Sequence, residues 1–376
     1  MRFIRVLKQT NPKVQITLFS DRRLDQMQGE LPEYIEEFIR WKQYYFIPSR
    51  WSKMMFLNKW INCVSLYFQF KKLSKEKRYD IVNIHYPQYF ISSVMRYMKR
   101  MATAVVVSPW GSDVLRIEGK KKRNKLAGVF HKADFITANP SGNVGKVLVE
   151  DMRIDPKKLR PMGWGSETID FINEHVFDST AEEAKRKLGL GGRYVITCGY
   201  NAFEEQRHEV MINAIAAVKH QLPDNLTLLF PVTYGYSYGN RKQEYVEQIK
   251  CWCKDLDLDA VFYEDYLSVA DLFLLRQGTD MFIHIQTTDA GNSSLQEYVL
   301  CGKKVVHGTW IHYPYLEQYE PLFYFPVNDL EQLGEAILNA YQSDHIEVPT
   351  QVLDYIRNRG WKAKMKLWNE FFASIS

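Results

Sequence analysis

Short apolar runs alternate with stretches of helical apolar spacing along most of this 376-residue chain. In the first half, VQITLF (from Val14), DIVNIHY (from Asp80), TAVVVSP (from Thr103) and DFITAN (from Asp134) predict strands, with amphipathic helical segments between them. Strands that alternate with helices imply a parallel sheet covered on both faces. The rhythm breaks over residues 151–176, where Pro156, Pro161, Gly163 and Gly165 fall, and a linker is expected near the end of that stretch. It restarts after Gly192 with RYVITCG, TLLFPV, VFYED, MFIHIQ and KKVVHG as strands and with helices around 206–220, 241–255, 267–277 and 293–301.

The pattern predicts two similar parallel α/β halves, residues 1–176 and 177–345. A tail follows at 346–376, whose apolar spacing (Val352, Ile356, Trp361, Met365, Trp368, Phe372) predicts a helix that packs back on the first half. A length of 376 residues agrees with two domains, each able to bury its own core. The chain opens on a helical stretch, FIRVLKQ, directly before VQITLF. The first strand and Gly-rich turn with which an open parallel domain usually begins are therefore expected to be missing.

Composition adds location and partners. The five cysteines are scattered without CxxC spacing, which argues against a disulfide framework or a zinc site and favours the cytosol. The N-terminus lacks a signal-peptide pattern, and no run of about 20 apolar residues is present. Charge is uneven: residues 41–78 hold nine Lys/Arg against Glu76 alone, a local +8 that leaves −3 for the remainder of a chain whose total is +5. Ten aromatics share that window, and a second basic run, GKKKRNK, spans 119–125. Basic residues interleaved with Trp and Tyr suit an anionic lipid surface. The chain is therefore expected to sit peripherally on the inner face of the plasma membrane. Nucleic acid is disfavoured, because no DNA- or RNA-binding module is recognisable.

Ligands in open α/β sheets bind beyond the carboxyl ends of strands. The loops there are HYPQYF (from His85), SPWGSDVLR (from Ser108), YNAFEEQRH (from Tyr200), TYGYSYGNRKQ (from Thr233) and TTDAGNSS (from Thr287). In the last, Gly291 permits close backbone approach, while Asn292, Ser293 or Ser294 can cap the helix that follows and offer its N–H groups to a diphosphate. Glu297, about one turn into that helix, can accept hydrogen bonds from a ribose diol, and Asp289 can reach sugar hydroxyls. The plainer alternatives are a solvated turn acid and a helix-dipole acid. In the first half, Asp113 is a candidate base or else an N-cap, and His85 a candidate base or else a core histidine. His131 and His284 read as structural.

The acid-x7-acid spacing of Asp289 and Glu297, followed by an apolar helix, Cys301-Gly302 and the strand KKVV, resembles the nucleotide-sugar signature of group 1 GT-B glycosyltransferases. That family usually has two glutamates, and commonly glycine where Asn292 stands. CGYNAFEEQRHEVMINAI resembles the first loop and helix of its donor domain. FPVTYGYSYGNRKQEYVEQI and SPWGSDVL resemble segments of the acetamidofucosyl transferase of enterobacterial common antigen synthesis.

The resemblance implies a GT-B fold of two Rossmann-like domains facing a cleft, with donor contacts from Asn201, Arg207, Thr233, Tyr234 and Arg241 besides the Asp289 loop. It implies transfer of a hexosyl group from a nucleotide-sugar, without metal or cofactor, to a glycan or polyprenyl-diphosphate-linked acceptor in surface polysaccharide synthesis. The loop after the first donor-domain strand lacks the family's usual Arg and Lys pair and offers Asn201, Gln206 and Arg207 instead; Arg207, with Arg241 or Lys242, can substitute. A nucleotide-sugar epimerase of the same architecture and a non-catalytic nucleotide-sugar-binding protein remain alternatives. A dinucleotide oxidoreductase is disfavoured, since no GxGxxG follows a strand.

Overall fold

The computed structural model describes residues 2–20, 32–41, 55–236, 240–320, 322–344 and 346–376. The chain divides into two compact units, Met1–Gly163 with Lys364–Ser376, and Trp164–Ala363. The first boundary falls thirteen residues before the 176 read from the sequence, because the helix Glu167–His175 packs with helices Val269–Gln277 and Ser293–Leu300 of the second unit.

The N-terminal unit opens with helix α1 (Arg2–Thr10). Strands β1 (Thr17–Ser20) and β2 (Glu37–Arg40) form a parallel pair. After helix α2 (Met55–Glu76) come β3 (Tyr79–His85), α3 (Met95–Met101), β4 (Ala102–Ser108), α4 (Ser112–Leu115), α5 (Lys120–Lys132) and β5 (Phe135–Ile136). Strands β3, β4 and β5 make a parallel sheet in that order. The central strand shows why its sequence is apolar without alternation: Val105, Val106 and Val107 are all fully buried, as a strand covered on both faces requires. The returning segment completes this core. Trp368 is fully buried, packs edge-on to Phe3 at 4.8 Å and donates its indole N–H to Gly163 O at 3.1 Å, and Phe371 meets Phe135 at 5.5 Å.

The C-terminal unit carries β6 (Tyr194–Cys198), β7 (Leu226–Pro231), β8 (Ala260–Tyr263), β9 (Met281–His284), β10 (Lys304–Gly308) and β11 (Tyr324–Val327), all parallel, in the order β11-β10-β9-β6-β7-β8. The order reverses direction at the β6–β9 junction. Successive connections run one way from β6 through β7 to β8 and the other way from β9 through β10 to β11, so the loops after β6 and β9 part there and leave a crevice. Both contain residues singled out from the sequence.

The tail is two helices, Thr350–Arg357 and Trp361–Ile375, rather than one. Asp170 accepts hydrogen bonds from Trp361 N (2.7 Å) and Lys362 N (3.3 Å), capping the second helix, and a Cβ at Gly360 would lie 2.1 Å from the Asp170 Oδ1.

Candidate functional site

The loops after β6 and β9 are tied to each other by side chains. Gln286 Oε1 accepts from Tyr200 Oη at 3.0 Å and from Gln206 Nε2 at 2.7 Å, and Thr287 N donates to Glu205 O at 3.1 Å. Arg207, held at φ 63°, donates to Ile285 O at 3.4 Å and lies over the Trp310 ring at 5.0 Å. Asn201 is buried and connects to the loop after β7, its Nδ2 lying 3.5 Å from Tyr234 Oη, while Tyr234 itself is half exposed. In that same loop Thr233 O accepts from Lys242 Nζ at 2.8 Å, and Arg241 lies over Tyr236 at 5.3 Å. Lys242 is therefore occupied by two carbonyls, Thr233 O and Glu264 O, which removes it as a diphosphate ligand and leaves Arg207 and Arg241 as the candidates.

Asp289 is held rather than solvated. Its side chain is 11% exposed, Oδ2 accepts from Tyr313 Oη at 2.6 Å and lies 3.4 Å from His284 Nε2, and Oδ1 accepts from Gly291 N at 3.1 Å. Burial pushes its carboxyl up, but the contacts with His284, Tyr313 and the Gly291 N–H outweigh burial and hold it below the ordinary value. His284 is the last residue of β9 and stands beside His307 of β10 in register, the rings stacked at 5.3 Å. Burial, with His284 and His312 adding to it, holds His307 well below the usual histidine range, so its ring is neutral. Tyr313 escapes the sequence reading, and His284, structural by that reading, stands instead as a partner of Asp289. The signal available was a histidine closing each of two adjacent apolar runs at their carboxyl ends.

Asn292 is the helix cap. Its Oδ1 accepts from Ser294 N at 2.7 Å and Leu295 N at 3.2 Å. Gly291 N is spent on Asp289, and Asn292 N on Tyr313 Oη at 3.4 Å. The expectation that residues 291–294 offer an open row of N–H groups to phosphates is corrected accordingly: the loop closes on itself. Ser293 is exposed at the first helical position.

Glu297 is 4% exposed and engaged on both oxygens. Oε2 pairs with Arg276 Nε at 3.1 Å, and Oε1 accepts from Ser166 Oγ at 3.0 Å. Arg276, 3% exposed, also donates to Tyr298 Oη (2.9 Å) and Ser294 Oγ (3.3 Å). The carboxylate is therefore part of a buried network rather than an open ribose ligand. A diol reaching it must replace the Ser166 hydroxyl.

In the N-terminal unit, His85 ends β3 and is paired in register with Ser108, which ends β4. Its ring lies 5.0 Å from Phe3 and 6.5 Å from Trp110, and burial lowers it to about 4, so it is neutral at pH 7. Asp113, 7% exposed, accepts from Trp110 N (3.0 Å) and Gly111 N (2.7 Å) through Oδ1 alone. Among the described residues Oδ2 finds no hydrogen-bond partner, and burial raises the carboxyl to about 6. A carboxylate with a free lone-pair face and a value near neutrality is suited to accept a proton. Asp113 makes no side-chain cap bond to α4, contrary to the plainer reading.

The basic aromatic window is described only in part; Tyr44, Tyr45, Phe46, Trp51 and Lys53 lie outside the described residues. On α2, Trp60 and Phe68 are 65% and 60% exposed, beside exposed Lys71, Lys72 and Lys75. At the start of α5 a cavity of about 610 Å³ is lined by Tyr89, Glu118, Gly119, Lys121, Lys122 and Lys125. Among the described residues no helix is long and apolar enough to cross a membrane, and no three His, Cys, Asp or Glu side chains group to hold a metal ion.

A family model described as glycosyl transferase 4-like matches residues 3–140. No curated protein matches the sequence. Among solved structures, the chain is similar to a glycosyltransferase from Rickettsia africae (TM-score 0.69, 14% identity, covering 100% of this chain and 94% of that one). It is also similar to Anabaena HepE in complex with UDP and glucose (0.66, 14%, 99% and 94%). A third is sucrose-phosphate synthase from Thermosynechococcus elongatus (0.68, 12%, 99% and 92%). Similarity over the whole chain at such low identity establishes the fold alone, two parallel-sheet α/β units of the GT-B type.

Proposed function

We propose that this protein transfers a hexosyl group from a nucleotide-sugar to a glycan or polyprenyl-diphosphate-linked saccharide, as a step of surface polysaccharide synthesis. The observation that carries this reading is Asp289, a buried, charged carboxylate fixed by three donors at the loop where the order of the C-terminal sheet reverses. Such an acid accepts hydrogen bonds from sugar hydroxyls without paying to be ordered first. The matched glycosyltransferase and the UDP and glucose complex of a similarly folded protein support a sugar nucleotide as the ligand.

The nucleotide is assigned to the loops after β6, β7 and β9. Asn201, Thr233 and Tyr234 flank it, a ribose hydroxyl displaces Ser166 at Glu297, and Asn292 and Ser294 keep the Asp289 loop in shape. In the reaction the acceptor oxygen bonds to the anomeric carbon and the bond from that carbon to the diphosphate oxygen breaks. The acceptor proton passes to Asp113, and the leaving diphosphate is stabilised by Arg207, Arg241 and Ser293 without metal. His85, neutral, is a hydrogen-bonding neighbour to the acceptor.

Calorimetric titration with UDP, GDP, ADP, dTDP and their glucose conjugates tests the donor assignment. One nucleotide should bind, and Asp289→Asn should weaken its sugar conjugate by about 10-fold or more while changing the bare diphosphate less. Absence of binding by the whole panel, or unchanged affinity in the variant, would sink the assignment. Incubating the bound donor with lipid-linked saccharides then separates transfer from epimerisation and from mere binding.

The exposed Trp60, Phe68 and lysines of α2, with the lysines of α5, favour an anionic membrane as the working surface. Replacing Lys71, Lys72, Lys75, Lys121, Lys122 and Lys125 by Ser should abolish sedimentation with phosphatidylglycerol vesicles; retained binding would refute that location.

A further inference from the structure

The segment that follows β10, residues 309–313, contains no residue of the donor assignment, yet its two largest side chains end on two of the charged groups that the assignment uses. Trp310 folds back over the end of its own strand, where a Cβ at Gly308 would stand 2.3 Å from the indole and push the ring away. From that seat the indole N–H donates to Gln286 O at 2.7 Å, next to the Ile285 carbonyl that takes Arg207. The ring face meets the Arg207 guanidinium at 5.0 Å, a cation–π contact made where Arg207 is partly desolvated.

Tyr313, 3% exposed, is fixed from behind: its N donates to Glu317 Oε1 at 2.8 Å and its ring packs on His307 at 5.0 Å. Its hydroxyl donates to Asp289 Oδ2 at 2.6 Å, the length of a charge-assisted O–H···O⁻ bond, and accepts from Asn292 N at 3.4 Å. One oxygen thus ties the acid to the cap of the helix that follows it. Leucine and phenylalanine would fill the same two volumes, but neither could supply the indole N–H or the hydroxyl.

We propose that Trp310 and Tyr313 are positioning residues of the donor site, Trp310 aiming Arg207 at the diphosphate and Tyr313 aiming Asp289 at the sugar. The inference rests on the donor reading for its meaning. It also separates the two side chains, because they act through groups that face different parts of one ligand. Tyr313 has a second effect through charge: a hydrogen bond to the ionised form favours that form, so removing the hydroxyl lifts the Asp289 carboxyl. The titratable groups facing Asp289 are His284 and His307 at the ends of β9 and β10, Tyr200 after β6, Tyr234 after β7, and Tyr313 and Tyr315 after β10. Replacing Tyr313 by Phe leaves the other five in place.

The first arm of the test needs no ligand and uses NMR on the full chain with isotope-labelled aspartate and arginine. The Asp289 carboxyl, assigned through Asp289→Asn, should titrate at a higher pH in Tyr313→Phe than in the parent. The Arg207 Nε–H signal, assigned through Arg207→Gln, should move downfield in Trp310→Leu as the ring current over it is lost, and less in Trp310→Phe. The second arm is calorimetric titration with UDP, GDP, ADP, dTDP and their glucose conjugates. Tyr313→Phe should weaken the sugar conjugate about 5-fold or more and the bare diphosphate less than about 2-fold. Added to Asp289→Asn it should cost nothing further, since it acts through that carboxylate. Trp310→Leu should weaken conjugate and diphosphate alike, by about 3-fold or more.

An Asp289 carboxyl that titrates unchanged in Tyr313→Phe, an Arg207 signal unmoved in Trp310→Leu, or losses that add in the double variant overturns the inference. Tyr313→Phe keeps the buried ring and Trp310 is only half-buried, so circular dichroism of both variants should match the parent. Should Tyr313→Phe unfold, Trp310→Leu and the arginine signal decide. Moved signals with no nucleotide bound uphold the positioning and defeat the donor reading, whereas nucleotide binding with unmoved signals defeats the positioning alone.

Discussion

Removing the Glu297 carboxylate should destabilise the C-terminal unit far more than it alters a surface. Glu297 and Arg276 are 4% and 3% exposed and 3.1 Å apart. Coulomb's law at that separation with an effective dielectric of 20 gives roughly 5 kcal/mol. Breaking a buried pair by deleting one partner costs about 3–5 kcal/mol, because the surviving charge stays buried. In Glu297→Ala the guanidinium keeps only two neutral acceptors, Tyr298 Oη and Ser294 Oγ. For a unit of this size that loss corresponds to a fall of roughly 6–20 °C in its unfolding midpoint. Calorimetry of the full chain would read it, with hydrogen exchange over peptides covering 267–300 assigning the transition. The double variant Arg276→Met/Glu297→Leu should recover much of the loss, since no charge is left unpaired. A Glu297→Ala midpoint within 2 °C of the parent, or a double variant as unstable as the sum of its singles, would refute the reasoning. One practical consequence follows for ligand work: Glu297→Ala confounds binding with folding, whereas Asp289→Asn keeps the size of the side chain it replaces.

Two other outcomes are expected. Asp113 has its carboxyl raised to about 6 from 3.8, so the folded state binds the extra proton between those values. Stability should fall by up to about 3 kcal/mol as pH rises from about 4 to about 6 and level off above it; urea midpoints across that range should lose this slope in Asp113→Asn, and activity should lose its acid limb near pH 6. Trp368→Ala, which empties a fully buried site and leaves Gly163 O without its indole donor, should cost the N-terminal unit about 3–5 kcal/mol by urea denaturation.

The elements that could be read from the sequence were those whose cause is local. Apolar runs covered on both faces, such as that of β4, and long amphipathic helices such as Arg241–Asp255 announce themselves within a dozen residues. Strand β11 did not, because Pro326 sits inside it and argues against a strand; the structure places it at the sheet edge, where a missing N–H is tolerated. Strand β2 is four residues long, too short to display a period. The break at Gly360 depends on a carboxylate, Asp170, nearly two hundred positions earlier. The site divides in the same way. The Asn292 cap follows from three consecutive residues, but Arg276 behind Glu297, Ser166 before it, and Tyr313 and His284 around Asp289 are partners that only the tertiary fold brings in.

The N-terminal unit is discontinuous in sequence, and that has a consequence for its birth on the ribosome. Phe3 and Gly163 emerge early, yet the tryptophan that covers them lies beyond the intervening segment Trp164–Ala363. At roughly 5–20 residues per second, translating those two hundred positions takes on the order of 10–40 s. During that interval the nascent unit displays an unfilled apolar seat for Trp368, so a chaperone that shields aromatic surface should raise the yield of this chain most when elongation is slowed.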